Sequence, residues 1–126
     1  MCAKRRGSIV NISSFYGAVG PDFSIYADTE MTNAPSYAYD KGGMIAFSRY
    51  LDTCVGSHGI RSDCLVPGGI ETDQDERFIA AYCRRTPLRR MAEVDDIKGP
   101  VLFLASDGSR YVTGVTLSVD GGWTAQ

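Results

Sequence analysis

Three short runs rich in β-branched residues, Ser8–Ser13, Ile60–Val66 and Val115–Val119, are separated by stretches far too long for hairpin turns. That spacing restricts the fold more than any other feature, because strands joined this way pair in parallel with helices packed across the sheet. The first gap contains Ser36–Val55, where Met44, Ile45, Phe47, Ser48 and Leu51 recur at helical spacing before Gly56. The second gap contains two helical stretches. Asp73–Arg84 carries Phe78, Ile79 and Tyr82 on one face, and Val94–Ala105 has Asp95 and Asp96 in its first turn, where they suit the helix dipole. Pro100 is expected to kink the last helix or to mark a later start for it. Residues 17–34 mix Gly, Pro, Asp, Asn and Thr without periodicity and read as a long loop of the kind that is usually functional or disordered. The sum is a three-stranded α/β fold. With 126 residues, 44% of them hydrophobic, the chain has room for one compact domain spanning 1–126.

Charge and cysteine usage narrow the function. The net charge is -2 and the basic residues are scattered, so nucleic acid is not an expected partner. Cys2, Cys54, Cys64 and Cys83 lie far apart, and His58 is the sole imidazole, so neither a zinc site nor a disulfide framework is expected. Free thiols and the lack of an apolar run of roughly 20 residues point to a soluble, cytoplasmic chain without a membrane partner.

Open parallel sheets bind ligands beyond the carboxyl ends of their strands, here Ser13-Ser14, Pro67-Gly68 and Asp120-Gly121. Tyr37 and Lys41, four residues apart, share one face of the first helix, and an ammonium near a phenol favours proton exchange at the hydroxyl. Taken singly, each candidate also has an ordinary role. Ser13 or Ser14 can cap a turn, Pro67-Gly68-Gly69 can simply stop a strand, and Thr72 and Asp73 can start a helix. Tyr39 is expected to pack, His58 to be solvated, and Trp123 to lie at a surface or subunit contact.

In combination these motifs are more specific. Gly7-Ser8-Ile9-Val10-Asn11-Ile12-Ser13-Ser14, Tyr37-x-x-x-Lys41, Gly59-Ile60-Arg61, Pro67-Gly68-Gly69-Ile70-Glu71-Thr72, Pro87-Leu88-Arg89-Arg90-Met91, Leu102-Phe103-Leu104-Ala105-Ser106-Asp107 and Val119-Asp120-Gly121-Gly122 occur in that order. So ordered, the chain resembles the C-terminal half of a short-chain dehydrogenase/reductase. The resemblance implies the C-terminal half of a Rossmann-type doubly wound sheet and hydride transfer between NAD or NADP and an alcohol or carbonyl. It assigns Ser14 to the substrate oxygen, Tyr37 to proton exchange, and Lys41 to the nicotinamide ribose and to lowering the tyrosine pKa. Pro67, Gly68, Ile70 and Thr72 would line the cofactor, with Thr72 near the pyrophosphate and Ile70 at the carboxamide.

Departures from the family pattern carry their own expectations. The glycine-rich pyrophosphate turn and the Asn-Asn-Ala-Gly segment are not found in these residues. A truncated chain, inactive alone and binding cofactor weakly or not at all, is therefore expected, with an apolar edge on the Ser8 strand and uncovered surface on the Tyr37 helix. The alternative is a non-catalytic remnant that acts as a dimerisation module through that helix, which in the family commonly builds homo-oligomers. Ser14 and Tyr37 lie 23 residues apart, about ten more than the resemblance implies, with the extra stretch in Pro21–Asn33. That insertion is similar to a branch found with bacterial surface-sugar biosynthesis and suits a sugar derivative as substrate. Ser62-Asp63 stands where the family commonly has Val-Asn, which suggests relaxed constraint or a drifted copy, since the strand should be buried.

Overall fold

A computed structural model describes all of residues 1–126. Strand β1 (Gly7–Ile12) leads through an irregular stretch to α1 (Pro35–Val55) and β2 (Ile60–Pro67); α2 (Glu76–Arg85), α3 (Val94–Ala105) and β3 (Thr116–Val119) follow. The sheet order is β1-β2-β3 and both pairings are parallel. Gly7 faces Ile60 and Ile12 faces Leu65 across the first pair, while Cys64 faces Thr116 and Pro67 faces Val119 across the second. The three-stranded α/β architecture expected from the spacing is the one observed.

Residue alternation along β1 shows how the sheet is covered. Asn11 Nδ2 donates to Ser48 Oγ of α1 at 3.2 Å, and Ser8 Oγ donates to the Leu104 carbonyl of α3 at 2.8 Å. Three positions apart on one strand, these side chains point to opposite faces, so α1 and α3 cover the two sides of the sheet. The central strand is buried almost throughout, as parallel strands between two helical layers are. Ser62, Cys64 and Val66 share the α1 side. There a core forms from Phe15, Tyr16, Ile25, Ile45, Cys64, Val66, Phe78, Tyr82, Met91 and Trp123.

Several expectations change. Trp123 is not a surface residue: it is 3% exposed, stacks on Tyr82 at 4.6 Å, meets Phe15 edge-on at 5.2 Å and carries the Arg85 guanidinium over its ring. The turn formed by Gly121 and Gly122, both with positive φ, folds the C-terminus back under α2 and so brings the indole inward. Tyr39, expected to pack, is 83% exposed. Helix α3 does not start late: it begins at Val94 and continues through Pro100 to Ala105. Its first turn is secured by the Asp96 carboxylate, which accepts from the Glu93 N–H at 2.8 Å and is gripped by Arg90. These bonds, Arg90 first, hold the Asp96 carboxyl at about 2. The 17–34 stretch contains one short 3-10 turn, Phe23–Tyr26, which buries Ile25. No helix is long and apolar enough to cross a membrane.

The polar pair in β2 is fully accommodated. Ser62 Oγ donates to the Ser48 carbonyl at 3.1 Å, and its N–H is taken by Thr113 Oγ1 at 3.1 Å. Asp63 Oδ1 accepts from the Val115 N–H at 3.2 Å and Oδ2 lies 3.4 Å from Arg61 Nη1. The pair ties α1, β2 and the approach to β3 together. Burial nevertheless raises the Asp63 carboxyl above its ordinary value, against the lowering by Val115 and Arg61. A raised carboxyl binds its proton more readily when folded, so this contribution to stability is complete below the unfolded pKa and is lost as pH rises through the folded one. Asp63→Asn keeps the acceptor and removes the titration. The melting temperature of the variant minus that of the parent should therefore be more positive at about pH 7 than at about pH 4. A difference independent of pH would contradict the raised carboxyl.

Candidate active site

The carboxyl end of β1 is continued one step past the strand by the Ser13 N–H, which donates to the Leu65 carbonyl at 2.8 Å. Ser13 Oγ then donates to the Lys41 carbonyl of α1 at 2.6 Å. Ser14 caps the following 3-10 turn, Phe15–Gly17, by accepting from the Tyr16 N–H at 3.3 Å, which leaves its own proton unspent. Gly17 ends that turn directly on α1. A Cβ there would lie 2.6 Å from the Lys41 carbonyl carbon, so only glycine permits the approach.

Helix α1 opens with Pro35 at its first position, where a missing N–H costs nothing. Tyr37 follows in the first turn and Lys41 one turn later, on the same face as the spacing requires. Lys41 Nζ donates to the Ile12 carbonyl at 3.1 Å and stands 5.7 Å from the centroid of the Tyr37 ring. One ammonium proton is thereby used and two remain. Tyr37 is 40% exposed, at the rim of a cleft.

The end of β2 supplies the second wall. The Gly68 N–H donates to the Val119 carbonyl at 2.9 Å and the Gly69 N–H donates to Tyr82 Oη at 2.6 Å. Side chains are excluded at both glycines, since a Cβ on Gly68 would meet Asp120 Cα at 2.9 Å and one on Gly69 would meet Cε2 of the buried Tyr82 ring at 2.9 Å. Burial pushes the Tyr82 phenol up to about 12, keeping it a neutral acceptor for Gly69. Gln74 braces the next turn by donating to the Ile70 carbonyl at 2.9 Å while accepting from the Thr72 N–H at 2.8 Å.

The insertion between β1 and α1 closes the third side. Asp22 pairs with Arg85 of α2 at 3.3 Å, and the Tyr26 ring lies on Phe78 with centroids 5.2 Å apart. Past this anchor, Met31, Thr32 and Asn33 return to α1 along the cleft. Its volume is about 350 Å³, and its lining includes Ser14, Tyr37, Pro67, Gly68 and Ile70. Lys41 lies behind Tyr37, outside the lining, and so does Thr72, an exposed residue on the outer side of the Gln74 brace. Ser13, Gly17, Gln74 and Tyr82 shape the site without having been singled out for it. Ser13, Gly17 and Tyr82 act through partners 13 or more residues away, while Gln74 braces its own turn through Ile70 and Thr72; only the small residue at Gly17, beside the strand end, gave a local sign of close approach.

The chain matches known proteins along nearly its whole length. A family model described as enoyl-(acyl carrier protein) reductase matches residues 1–124. Among curated proteins, the chain is 41% identical to the 3-oxoacyl-acyl-carrier-protein reductase FabG of Chlamydia trachomatis, over 97% of this chain and 47% of that protein. It is 36% identical to the post-translational flagellin modification protein A of Campylobacter coli, over 93% of this chain and 46% of that one. Among solved structures, a short-chain dehydrogenase from Leptospira borgpetersenii with bound NAD+ superposes with a TM-score of 0.88 at 42% identity, covering 98% of this chain and 47% of that chain. The chain thus spans about half the length of the proteins it matches.

The Gly69–Tyr82 bond is the internal support of the second wall. Tyr82→Phe keeps the ring and its stacking but strands the Gly69 N–H, and should cost about 1–3 kcal/mol in denaturant unfolding. Amide exchange at Gly69 should accelerate with it. Unchanged stability and exchange would show that the bond does not hold this turn.

Proposed function

The chain belongs to the short-chain dehydrogenase/reductase family, and we propose that its cleft carries out the NAD(P)-dependent interconversion of an alcohol and a carbonyl, with Ser14, Tyr37 and Lys41 as the catalytic set. The observation that carries this reading is that Ser14 and Tyr37 line the same cleft as Pro67, Gly68 and Ile70, at the carboxyl ends of adjacent parallel strands. The donor set suits the nicotinamide half of a dinucleotide. Lys41 has two ammonium protons for ribose hydroxyls, and the Ile70 turn lies where a carboxamide can be met. When bound, the nicotinamide supplies or accepts the hydride, which no side chain can do.

The remaining work falls to the protein. Ser14, fixed by the Tyr16 N–H, directs its hydroxyl proton at the substrate oxygen. Tyr37 delivers a proton to that oxygen in reduction and removes it in oxidation, and two hydroxyl donors on one oxygen stabilise the charge that develops there. Lys41 would hold the ribose, with its positive charge 5.7 Å from the centroid of the ring whose hydroxyl exchanges the proton. Residues 1–126 contain no glycine-rich strand-to-helix turn for the pyrophosphate, so turnover by these residues alone is proposed to be negligible. The exposed Tyr39, Phe47 and Tyr50 on α1 favour a second role for that helix, as a contact between copies of the chain.

The reading is tested by assaying a polypeptide that carries residues 1–126 together with a pyrophosphate-binding half for NAD(P)H-linked carbonyl reduction. Tyr37→Phe should lower turnover by about 10²-fold or more without moving the melting temperature, because the hydroxyl stands at a solvent-exposed rim. Turnover that survives the change would remove Tyr37 as the proton donor. Robust turnover by residues 1–126 alone would contradict the proposed dependence on a second half.

A further inference from the structure

Among the buried side-chain nitrogens and oxygens of the chain, one makes no hydrogen bond to the protein: Asn33 Oδ1. Buried polar atoms are nearly always paired, and this fold pairs even Ser62 and Asp63 in the middle of its sheet. Asn33 lines the cleft, four residues before Tyr37. Its placement is built, not incidental. Ile25 is buried in the core, Asp22 pairs with Arg85, and Thr29 Oγ1 both donates to the Tyr26 carbonyl at 2.8 Å and accepts from the Met31 N–H at 3.2 Å. These contacts fix the return of the loop toward α1.

A donor complements this acceptor in the same cleft. Tyr26 Oη donates to Tyr16 Oη at 3.3 Å, so Tyr16 keeps a phenolic proton of its own that no protein group accepts. Burial, reinforced by the Tyr26 hydroxyl, raises the Tyr16 pKa, and the proton stays in place. Met31, Phe78 and Met91 add apolar surface to the same cleft. An unpaired acceptor and a free O–H donor in one cleft match a hydroxyl group, which both donates and accepts.

We propose that Asn33, assisted by the Tyr16–Tyr26 hydroxyl pair, is a specificity residue that binds a second hydroxyl of the substrate, one other than the hydroxyl being oxidised, which makes the substrate class a polyhydroxylated alcohol of the sugar or polyol type. The proposal rests on Ser14 and Tyr37 marking the reacting end of the cleft. An alcohol without the second hydroxyl gains the apolar surface but leaves Asn33 unpaired, and sites built for a hydroxyl discriminate strongly on that ground.

Binding separates this inference from the hydride chemistry. Sorbitol and hexan-2-ol, equal in carbon number, are titrated into the chain and followed by saturation-transfer NMR. The parent should favour sorbitol. Asn33→Leu should weaken sorbitol about tenfold, leave hexan-2-ol unchanged or tighter, and keep or raise the melting temperature because an unpaired buried acceptor has been removed. A merely structural asparagine would instead lower the melting temperature and leave the preference alone. Tyr26→Phe should weaken sorbitol about threefold. The proposal is overturned if the parent fails to bind sorbitol, if it prefers hexan-2-ol, or if Asn33→Leu binds sorbitol as the parent does. Asn33-dependent sorbitol binding without NAD(P)-linked oxidation in the two-half polypeptide would uphold the specificity residue and sink the catalytic reading. Oxidation of hexan-2-ol without sorbitol binding would do the reverse.

Discussion

The parallel register between β1 and β2 is the constraint from which the site follows. With Ile12 opposite Leu65, the chain leaves β1 at Ser13-Ser14 and leaves β2 at Pro67-Gly68 on the same edge of the sheet. A slip of one residue would send Ser62, Cys64 and Val66 to the wrong side of a strand buried on both faces, so the register is strongly specified. Helix α1 is then docked against the end of β1 by the Ser13–Lys41 hydrogen bond, by the Lys41 ammonium on the Ile12 carbonyl and, just beyond, by the bare backbone at Gly17. Tyr37 reaches the cleft because its helix is held there, one turn from Lys41.

Polar economy separates what supports the fold from what faces a ligand. Ser62 and Asp63 are expensive groups in the middle of a sheet, yet each is met by partners from α1 or from the approach to β3. Tyr82 works similarly as a buried acceptor for the Gly69 N–H. Ser14, Tyr16 and Lys41 have protons left over after their internal bonds, and Asn33 has an acceptor left over. These unspent groups gather at the edge of the sheet where α/β folds bind their ligands.

Much of this was legible in the sequence. The β-branched runs located all three strands, the apolar spacing located α1 and α3 within a residue or so, and the family motifs picked out residues that converge on one cleft. Contacts between residues distant in sequence were harder to see. Trp123 was placed at the surface because an aromatic near a terminus carries no periodicity, whereas its burial depends on Phe15, at the other end of the chain, and on two positive-φ glycines. Ser62-Asp63 suggested relaxed constraint because their partners, Ser48, Thr113 and Val115, lie in other segments. Thr72, expected near a pyrophosphate, lies outside the lining of this cleft, with its N–H donated to the Gln74 side chain, a contact that the sequence did not announce. Asn33 gave no local sign at all, since an asparagine in a polar loop is ordinary until its carbonyl is seen to be buried without a partner.

The central claim is that this sheet edge, built by residues 1–126, holds the nicotinamide half of a dinucleotide against Tyr37 and Lys41. Titrating nicotinamide mononucleotide into the isotope-labelled chain and following backbone amide shifts tests it directly. The account predicts perturbations concentrated at Ser14, Tyr37, Lys41 and Gly68–Ile70, with the far ends of β1 and β2 around Gly7 and Ile60 unmoved. An absence of localised shifts, or shifts centred at the opposite edge of the sheet, would contradict it.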